Sequence, residues 1–399
     1  MRTRLHEDGF TLTELLFSTA ITLIVLAVAM TTFQNALMLN ETATLIADSN
    51  QNLRAGTNSL VRDLMQAGRA IPTGGISIPS GAGATPINRP SPPGQAYQFD
   101  NVTGFTMPAI ITGAALGPTT AGEATDMITM LSVDPTSYVC YQLPCQALPS
   151  PAPPPVGILQ DLVLNANPLG PAGSFPIGLV NPAPTLSADG STLNITPQFS
   201  GWISDAVDGI KPGDLLLFKS VSGASTIQTV TAVSPTQVIC QPGSSTDWFN
   251  FNQPLAAAGS ILALRDLQAD GVTFLFGQIS VSRVVMLTYY VDATMAVNTP
   301  RLVRRQNNFA AQALAGVVED LEITYDLVDG TINPVQIESL PYTTLLTPVI
   351  TFTANQIRKV NLHMGVRSEE FSQLHKDFMR HHITTTVSVR NLAFVDKYK

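Results

Sequence analysis

Charge is scarce in this chain. Asp, Glu, Lys and Arg make up 13% of the 399 residues, about half the ~25% of an ordinary globular protein. The sparse charge sums to −8, which gives no basic surface to hold a nucleic-acid backbone, so no nucleic-acid partner is expected. Tryptophan is limited to two residues and cysteine to three, too few cysteines for a disulfide-built scaffold. No phosphate-binding loop, dinucleotide fingerprint or nucleophile elbow occurs, so the chain reads as no enzyme and implies no cofactor. Proline and glycine, at 29 and 28 residues, are plentiful. With 45% hydrophobic residues, they suit a β-rich protein with a sizeable core and many turns, exported rather than cytoplasmic.

The one long hydrophobic run is at the start. A charged leader, Met1 to Asp8, ends at Gly9, and Phe10-Thr11-Leu12-Thr13-Glu14-Leu15-Leu16 opens an apolar stretch. From Leu15 to Asn40 there is no charged residue. About 20 apolar residues at ~1.5 Å each cross a bilayer as a helix. Ser18, Thr19 and Thr22 can bond back to helix carbonyls, but Glu14 is anomalous, because a carboxylate in an apolar span costs a few kcal/mol without a partner. Arg2 and Arg4 precede the run while Glu41 and Asp48 follow it, which keeps the leader in the cytoplasm and exports the rest. Two plainer readings compete. Ala27-Val28-Ala29 offers a secretory cleavage site, although the acids Glu7, Asp8 and Glu14 and the apolar residues after Ala29 argue against it. A plain signal anchor is the other.

Gly9-Phe10-Thr-Leu-Thr-Glu14 ahead of a membrane-length run resembles the processing site of type IV prepilins. The resemblance implies that a prepilin peptidase cuts between Gly9 and Phe10 and methylates the new Phe10 amine. It also implies that Glu14, fifth in the mature chain, forms an assembly salt bridge with the freed amine of a neighbouring subunit. A buried anion and a buried cation each need the other, and losing one partner is costly.

Phe10 to about Ala67 reads as one long helix. Past the membrane run, Ile46, Leu53 and Leu60 recur at seven-residue spacing, with Leu64 one turn on, among polar neighbours. Gly68 and Pro72 stop it. Gly56 suits a kink or a close approach. The expected division is a leader at 1–9, a transmembrane half-helix at 10–39, an amphipathic half-helix at 40–67, a Pro/Gly-rich insertion with few strands at 68–190, and a β-rich head at 191–399. In the insertion, 126–133 is a good strand, and six prolines crowd 144–155, favouring extended surface chain.

Further on, strands are expected at 191–196, 214–220, 226–233, 237–241 and 260–264. Val281–Val291 is the strongest, with Arg301–Arg305 as its hairpin return. Residues 314–323 read as a short helix running into a strand at 321–328. Ile357–Arg367 and Ile383–Val389 alternate as half-buried strands, and 368–380 reads as a polar loop. The succession VVEDLEITYDL, IRKVNLHMGVRS and TTTVSVRN resembles the C-terminal part of PilW-like minor pilins. The implied fold class is α+β: a long N-terminal helix packed on a large antiparallel head, in the lollipop form of that family.

Candidate chemistry elsewhere is thin. Cys140 and Cys145 are the favoured disulfide, with Cys240 an alternative partner for either, and the odd count leaves one thiol free. His375, His381 and His382, with Glu369, Glu370 and Asp377, lack any helical ligand spacing and read as a solvated loop, so no metal site is expected. Asp266 and Asp270 make a poor calcium loop. Arg301, Arg304 and Arg305 read as the exposed face of a strand. The resemblance implies a minor pilin that primes or caps a type IV filament. Its partners would be the prepilin peptidase, other minor and major pilins, the inner-membrane assembly platform and inner-membrane lipid. It would reside in the inner membrane with its C-terminus outside the cytoplasm, then on the pilus at the cell surface. A pseudopilin of type II secretion or competence, and a tip adhesin using residues 68–196, are the alternatives.

Overall fold

A single helix sets the long axis of the molecule. Helix α1, Leu12–Gln66, has 55 residues and at ~1.5 Å per residue is about 82 Å long. The computed structural model describes residues 11–72, 74–100, 104–134, 162–165, 185–194, 209–220, 222–253, 259–267, 272, 274–276, 278–294, 299–328, 332–344, 349–389 and 391–392. Thr11 caps α1, and Ala67 closes it by donating its N–H to the carbonyls of Asp63 and Leu64. Gly68 then takes φ +79°, and its N–H donates to Leu131 O at 2.8 Å. The chain therefore leaves the helix already bound to a strand of the head.

The rest of the described chain is β-rich, and the protein is α+β. Eight strands carry the architecture: β1 (Ile128–Val133), β2 (Leu215–Ser220), β3 (Ser225–Thr229), β4 (Gln278–Asp292), β5 (Arg301–Gln306), β6 (Gln312–Leu327), β7 (Ile357–Ser372) and β8 (Asp377–Ser388). Among the described residues they lie in a 12-stranded sheet ordered β8-β7-β6-β5-β4-β2-β3, then the short strands at 76–77 and 106–107. Its ladders are antiparallel except where Ser77 meets Thr226 in parallel.

The strand β4 is the hub. Along one edge it pairs β2 over residues 279–284 and β5 over 287–292. Along the other it pairs the strand 162–165 over residues 278–281 and β1 over 284–289. A strand paired on both edges and covered on both faces is expected to be apolar at nearly every position. Residues 287–292 of β4 are indeed all buried. Its side chains enter separate cores: Ile279 and Val281 join Leu216, Phe218 and Val238, while Val284 and Met286 join Ile76, Ile87, Met107 and Phe249. Leu287, Tyr289 and Val291 join the core beneath α1. The Pro/Gly-rich residues 74–134 thus contribute side chains to the same body as the later strands.

The second half of α1 lies on β6, β7 and β8. Its buried face is Thr42, Ser49, Leu53, Gly56, Thr57, Leu60, Asp63 and Leu64, a stripe at the spacing of one helix face. At Gly56 helix and sheet come close together. A Cβ there would stand 2.9 Å from Ala315 Cβ and 3.1 Å from a Leu302 methyl, so this glycine marks a close approach.

Three expectations are corrected. Residues 314–323 are not helical but belong to β6, whose ladder with β7 slips between Val318 and Asp320. A bulge adds one residue and shifts the inward face. The buried positions of β6 therefore read Ala315, Val317, Val318, Leu321 and Ile323, spaced two, one, three and two apart, which breaks the alternation that marks a strand. Residues 368–380 are not a loop, since β7 runs to Ser372 and β8 begins at Asp377. Their charges pair across strands: Arg367 and Arg380 both bind Glu319, at 2.9 and 2.8 Å, and Arg367 lies 4.0 Å over the Phe378 ring. Finally, 261–264 is a 3₁₀ turn that buries Ile261 and Leu264, the i,i+3 pair that eclipses in such a turn.

Alanine has about 1 kcal/mol of helix propensity over glycine, yet overpacking costs about 1–3 kcal/mol. Gly56→Ala is therefore expected to destabilise the detergent-solubilised protein in urea unfolding, and Ala315→Gly in the same chain to restore it. A Gly56→Ala protein more stable than its parent would show that the contact yields freely.

Candidate functional site

Among the described residues, the first half of α1 forms a long stretch that the rest of the chain leaves uncovered. Every residue from 11 to 37 is exposed, and Met38 is the first that is not. The helix is long and apolar enough to cross a membrane, with a mean hydropathy of 2.2 in its most apolar window, none of which is buried by the rest of the chain. Its hydroxyl side chains past Glu14 turn back onto the helix: Ser18 donates to Leu15 O at 2.9 Å, Thr19 to Leu16 O at 3.0 Å and Thr22 to Ser18 O at 2.7 Å. Thr31 and Thr32 both donate to Val28 O. The hydroxyls are thus satisfied without solvent, and the helix presents hydrocarbon outward, which a lipid phase requires of it.

At the head of this run Thr11 and Glu14 form a capping box. Glu14 N–H donates to Thr11 Oγ1 at 3.3 Å, and Glu14 Oε2 accepts from Thr11 N–H at 3.0 Å and Thr11 Oγ1 at 2.9 Å. Two free helix donors are satisfied reciprocally, and the acid stands in the first turn, where the helix dipole favours a negative charge. This local role was legible as Thr-x-x-Glu. In a single chain it gives Glu14 a partner at the helix start while leaving the carboxylate on the surface. Gly9, Phe10, Cys140 and Cys145 lie outside the described residues. Cys240 is a free thiol, 3% exposed, and burial pushes its pKa up, so it behaves as a core residue.

The helix is joined to the head by a polar lock that sequence reading missed. Asp63, buried on α1, accepts on one oxygen from Arg304 Nε at 2.6 Å and from the Tyr289 hydroxyl at 2.7 Å. Ser59 lies 3.4 Å from the same hydroxyl. Burial, the largest influence, pushes the Tyr289 phenol up, so it stays a donor. Burial alone would lower the Arg304 pKa, but the hydrogen bond and charge of Asp63 outweigh it and hold the guanidinium up. Arg304 is therefore not part of an exposed strand face. Of its neighbours, Arg305 lies 5.7 Å over the Trp248 ring and Arg301 reaches Glu369 at 3.4 Å.

The other candidates do not converge. His375 is in the β7–β8 turn, while His381 and His382 are consecutive on β8 and so face opposite ways. Asp377 pairs with Arg380 and Glu369 with Arg301. Among the described residues, no group of three His, Cys, Asp or Glu side chains is placed to hold a metal ion. Arg89 is buried, and burial lowers its pKa to about 10, but it is engaged by the carbonyls of Thr112 at 2.8 Å and Ile111 at 3.2 Å. A cleft of about 340 Å³ lies beside Thr85, Asp247 and Asn252. Its polar atoms are internally bonded: Asp247 accepts from the Phe251 and Asn252 N–H groups, and Asn252 holds both backbone groups of Thr229.

No family model, curated protein or solved structure matches this chain.

Removing one member of a buried charged pair costs about 3–5 kcal/mol, whereas replacing both by apolar groups of similar volume is often neutral. Asp63→Leu should lower the unfolding midpoint strongly, and the double variant Asp63→Leu, Arg304→Met should recover most of the loss. Equal stability of Asp63→Leu and the parent would remove the lock from the account.

Proposed function

We propose that this chain is a PilW-like minor pilin, anchored in the inner membrane by the first half of α1 and later carried into a type IV filament whose assembly it primes or caps. The observation that carries the reading is the two-part helix. Residues 11–37 are exposed and apolar, residues 42–64 are packed on the head, and no break in the helix separates the two. Such a helix can sit in lipid before assembly and against neighbouring apolar helices afterwards, because either environment hides the same surface. The prepilin-like sequence from Gly9 to Glu14 supplies the processing step.

In this account the peptidase cuts the Gly9–Phe10 bond, Phe10 becomes the methylated N-terminus, and the freed amine joins the Glu14 carboxylate of a neighbour. The Thr11 contacts to Glu14 are exposed and local, so the acid can exchange them for a charged partner as helices bundle. The large head suits a terminal position, since a thin filament that repeated it at every step would have to accommodate its bulk each time.

Two outcomes test this. Gly9→Val should leave the leader attached, read by the mass of the N-terminal peptide; a mature N-terminus at Phe10 in that variant refutes the cleavage site. Glu14→Ala should remain membrane-bound and processed yet be depleted from sheared filaments, and normal incorporation would sink the pairing role.

A further inference from the structure

The hairpin joining β7 to β8 ends beside the point where α1 leaves its uncharged run. Ser372, fully buried, has its hydroxyl 3.0 Å from that of Thr42, which itself donates to Met38 O at 2.9 Å. Higher up, Gly56 stands beside Met364 and Gly68 beside Leu392. From Met364 to Ser372 the strand therefore follows the helix downward from Gly56 to Thr42. Eight strand residues at ~3.3 Å and fourteen helix residues at ~1.5 Å cover comparable lengths, about 26 and 21 Å. The turn 373–376 then projects past Ser372 by about one or two strand residues, ~5 Å, which is three to four helix residues. That places it level with Met38, the first residue of α1 that is not fully exposed.

At this turn, Gln373-Leu374-His375-Lys376, and just before it, two large apolar side chains stand exposed. Phe371 is 42% and Leu374 38% exposed, and Phe371 packs edge-on to Phe378 at 5.6 Å. His375 and Lys376 are exposed at the apex. The acids nearby are largely engaged: Glu369 meets Arg301, while Asp377 meets Arg380. Glu370 is exposed. The turn is also held in place. Lys376 N–H donates to Ser372 O at 2.8 Å, closing it, and Arg367 lies over Phe378.

The uncharged run of α1 from Leu15 to Asn40 exceeds the ~20 residues needed for the hydrocarbon core. Its last turns therefore lie among the lipid headgroups. We infer that the β7–β8 turn is a second membrane contact: a foot that rests in the headgroup layer, placing Phe371 and Leu374 against lipid and Lys376 among phosphates while the chain is anchored by α1. Apolar side chains and a cation at this depth are the composition of an interfacial anchor. With α1 at one point and the foot at another, the head is fixed in tilt and in rotation about the helix. The inference rests on the membrane placement of α1 proposed above.

The test uses the full chain in vesicles of phosphatidylethanolamine and phosphatidylglycerol, with and without a mixture of lipids brominated near the headgroup and lipids brominated near the acyl-chain end. Single tryptophans are introduced as Phe371→Trp, Leu374→Trp, Leu23→Trp and Val335→Trp, with the parent, which carries Trp202 and Trp248, as background. The foot predicts that emission from the variants at 371, 374 and 23 falls on brominated lipid while the variant at 335 keeps the parent's value. If the variant at 23 is quenched and those at 371 and 374 behave like the one at 335, the foot is wrong and the anchored helix stands. If the variant at 23 is not quenched either, the membrane placement of α1 fails and the foot fails with it.

Discussion

The carboxylate of Asp63 is the constraint on which the rest of the molecule depends. It is buried, so it requires partners, and it finds them in Arg304 on β5 and Tyr289 on the hub strand β4. An unpartnered carboxylate at this depth would cost several kcal/mol. The helix therefore has one rotational setting and one axial setting on the sheet. An apolar stripe alone would tolerate a slip of a turn, because Leu53, Leu60 and Leu64 could exchange places at modest cost. A carboxylate that must meet a guanidinium and a phenol cannot slip. Gly56 reinforces the setting, since its missing side chain admits Ala315 only at that register.

From this anchor the fold extends in both directions. Tyr289 lies in the last third of β4, whose four pairing partners gather the sheet on either side. Positions of one strand alternate between cores, so the side chains that fix β1 and β2 also fix β4 beneath α1. Gly68 adds a third tie by handing its N–H to Leu131 on β1 as the helix ends. The head is in this sense organised around the exit of the helix.

What the sequence made legible is what local chemistry encodes. The helix is bounded by its own cap and by Gly68. The second half of β4 announces itself through a near-continuous apolar run, and β7 through alternation over Ile357–Arg367. The missed features depend on partners far along the chain. Asp63 and Arg304 are 241 positions apart, and an Asp beside an Arg at a helix end reads as solvated surface until the sheet is placed. The polar stretch 368–380 resembles a loop because its charges find partners on other strands, Arg380 at Glu319 and Glu369 at Arg301. The apparent helix at 314–323 arises where a bulge breaks the period of two between Val317 and Leu321. The Glu14 capping box is local, and Thr-x-x-Glu at the start of an apolar run encodes it.

The orientation of the strands bears on any role in which the helix is pulled. β7 runs antiparallel to α1, from Met364 beside Gly56 to Ser372 beside Thr42. Force along the helix axis therefore loads the ladders of β6, β7 and β8 in shear. In shear the hydrogen bonds of a ladder share the load, whereas a strand peeled from its end loses them one by one. The attachments of α1 are also spread along its length: the hydroxyl pair at Thr42, the close approach at Gly56 and the charged lock at Asp63. A single buried patch would concentrate strain at one level of the helix, while three separated contacts distribute it over more than twenty residues. For a subunit whose apolar half is drawn from lipid into a filament, as proposed above, this arrangement keeps the head in register with the helix while the surroundings of the helix change.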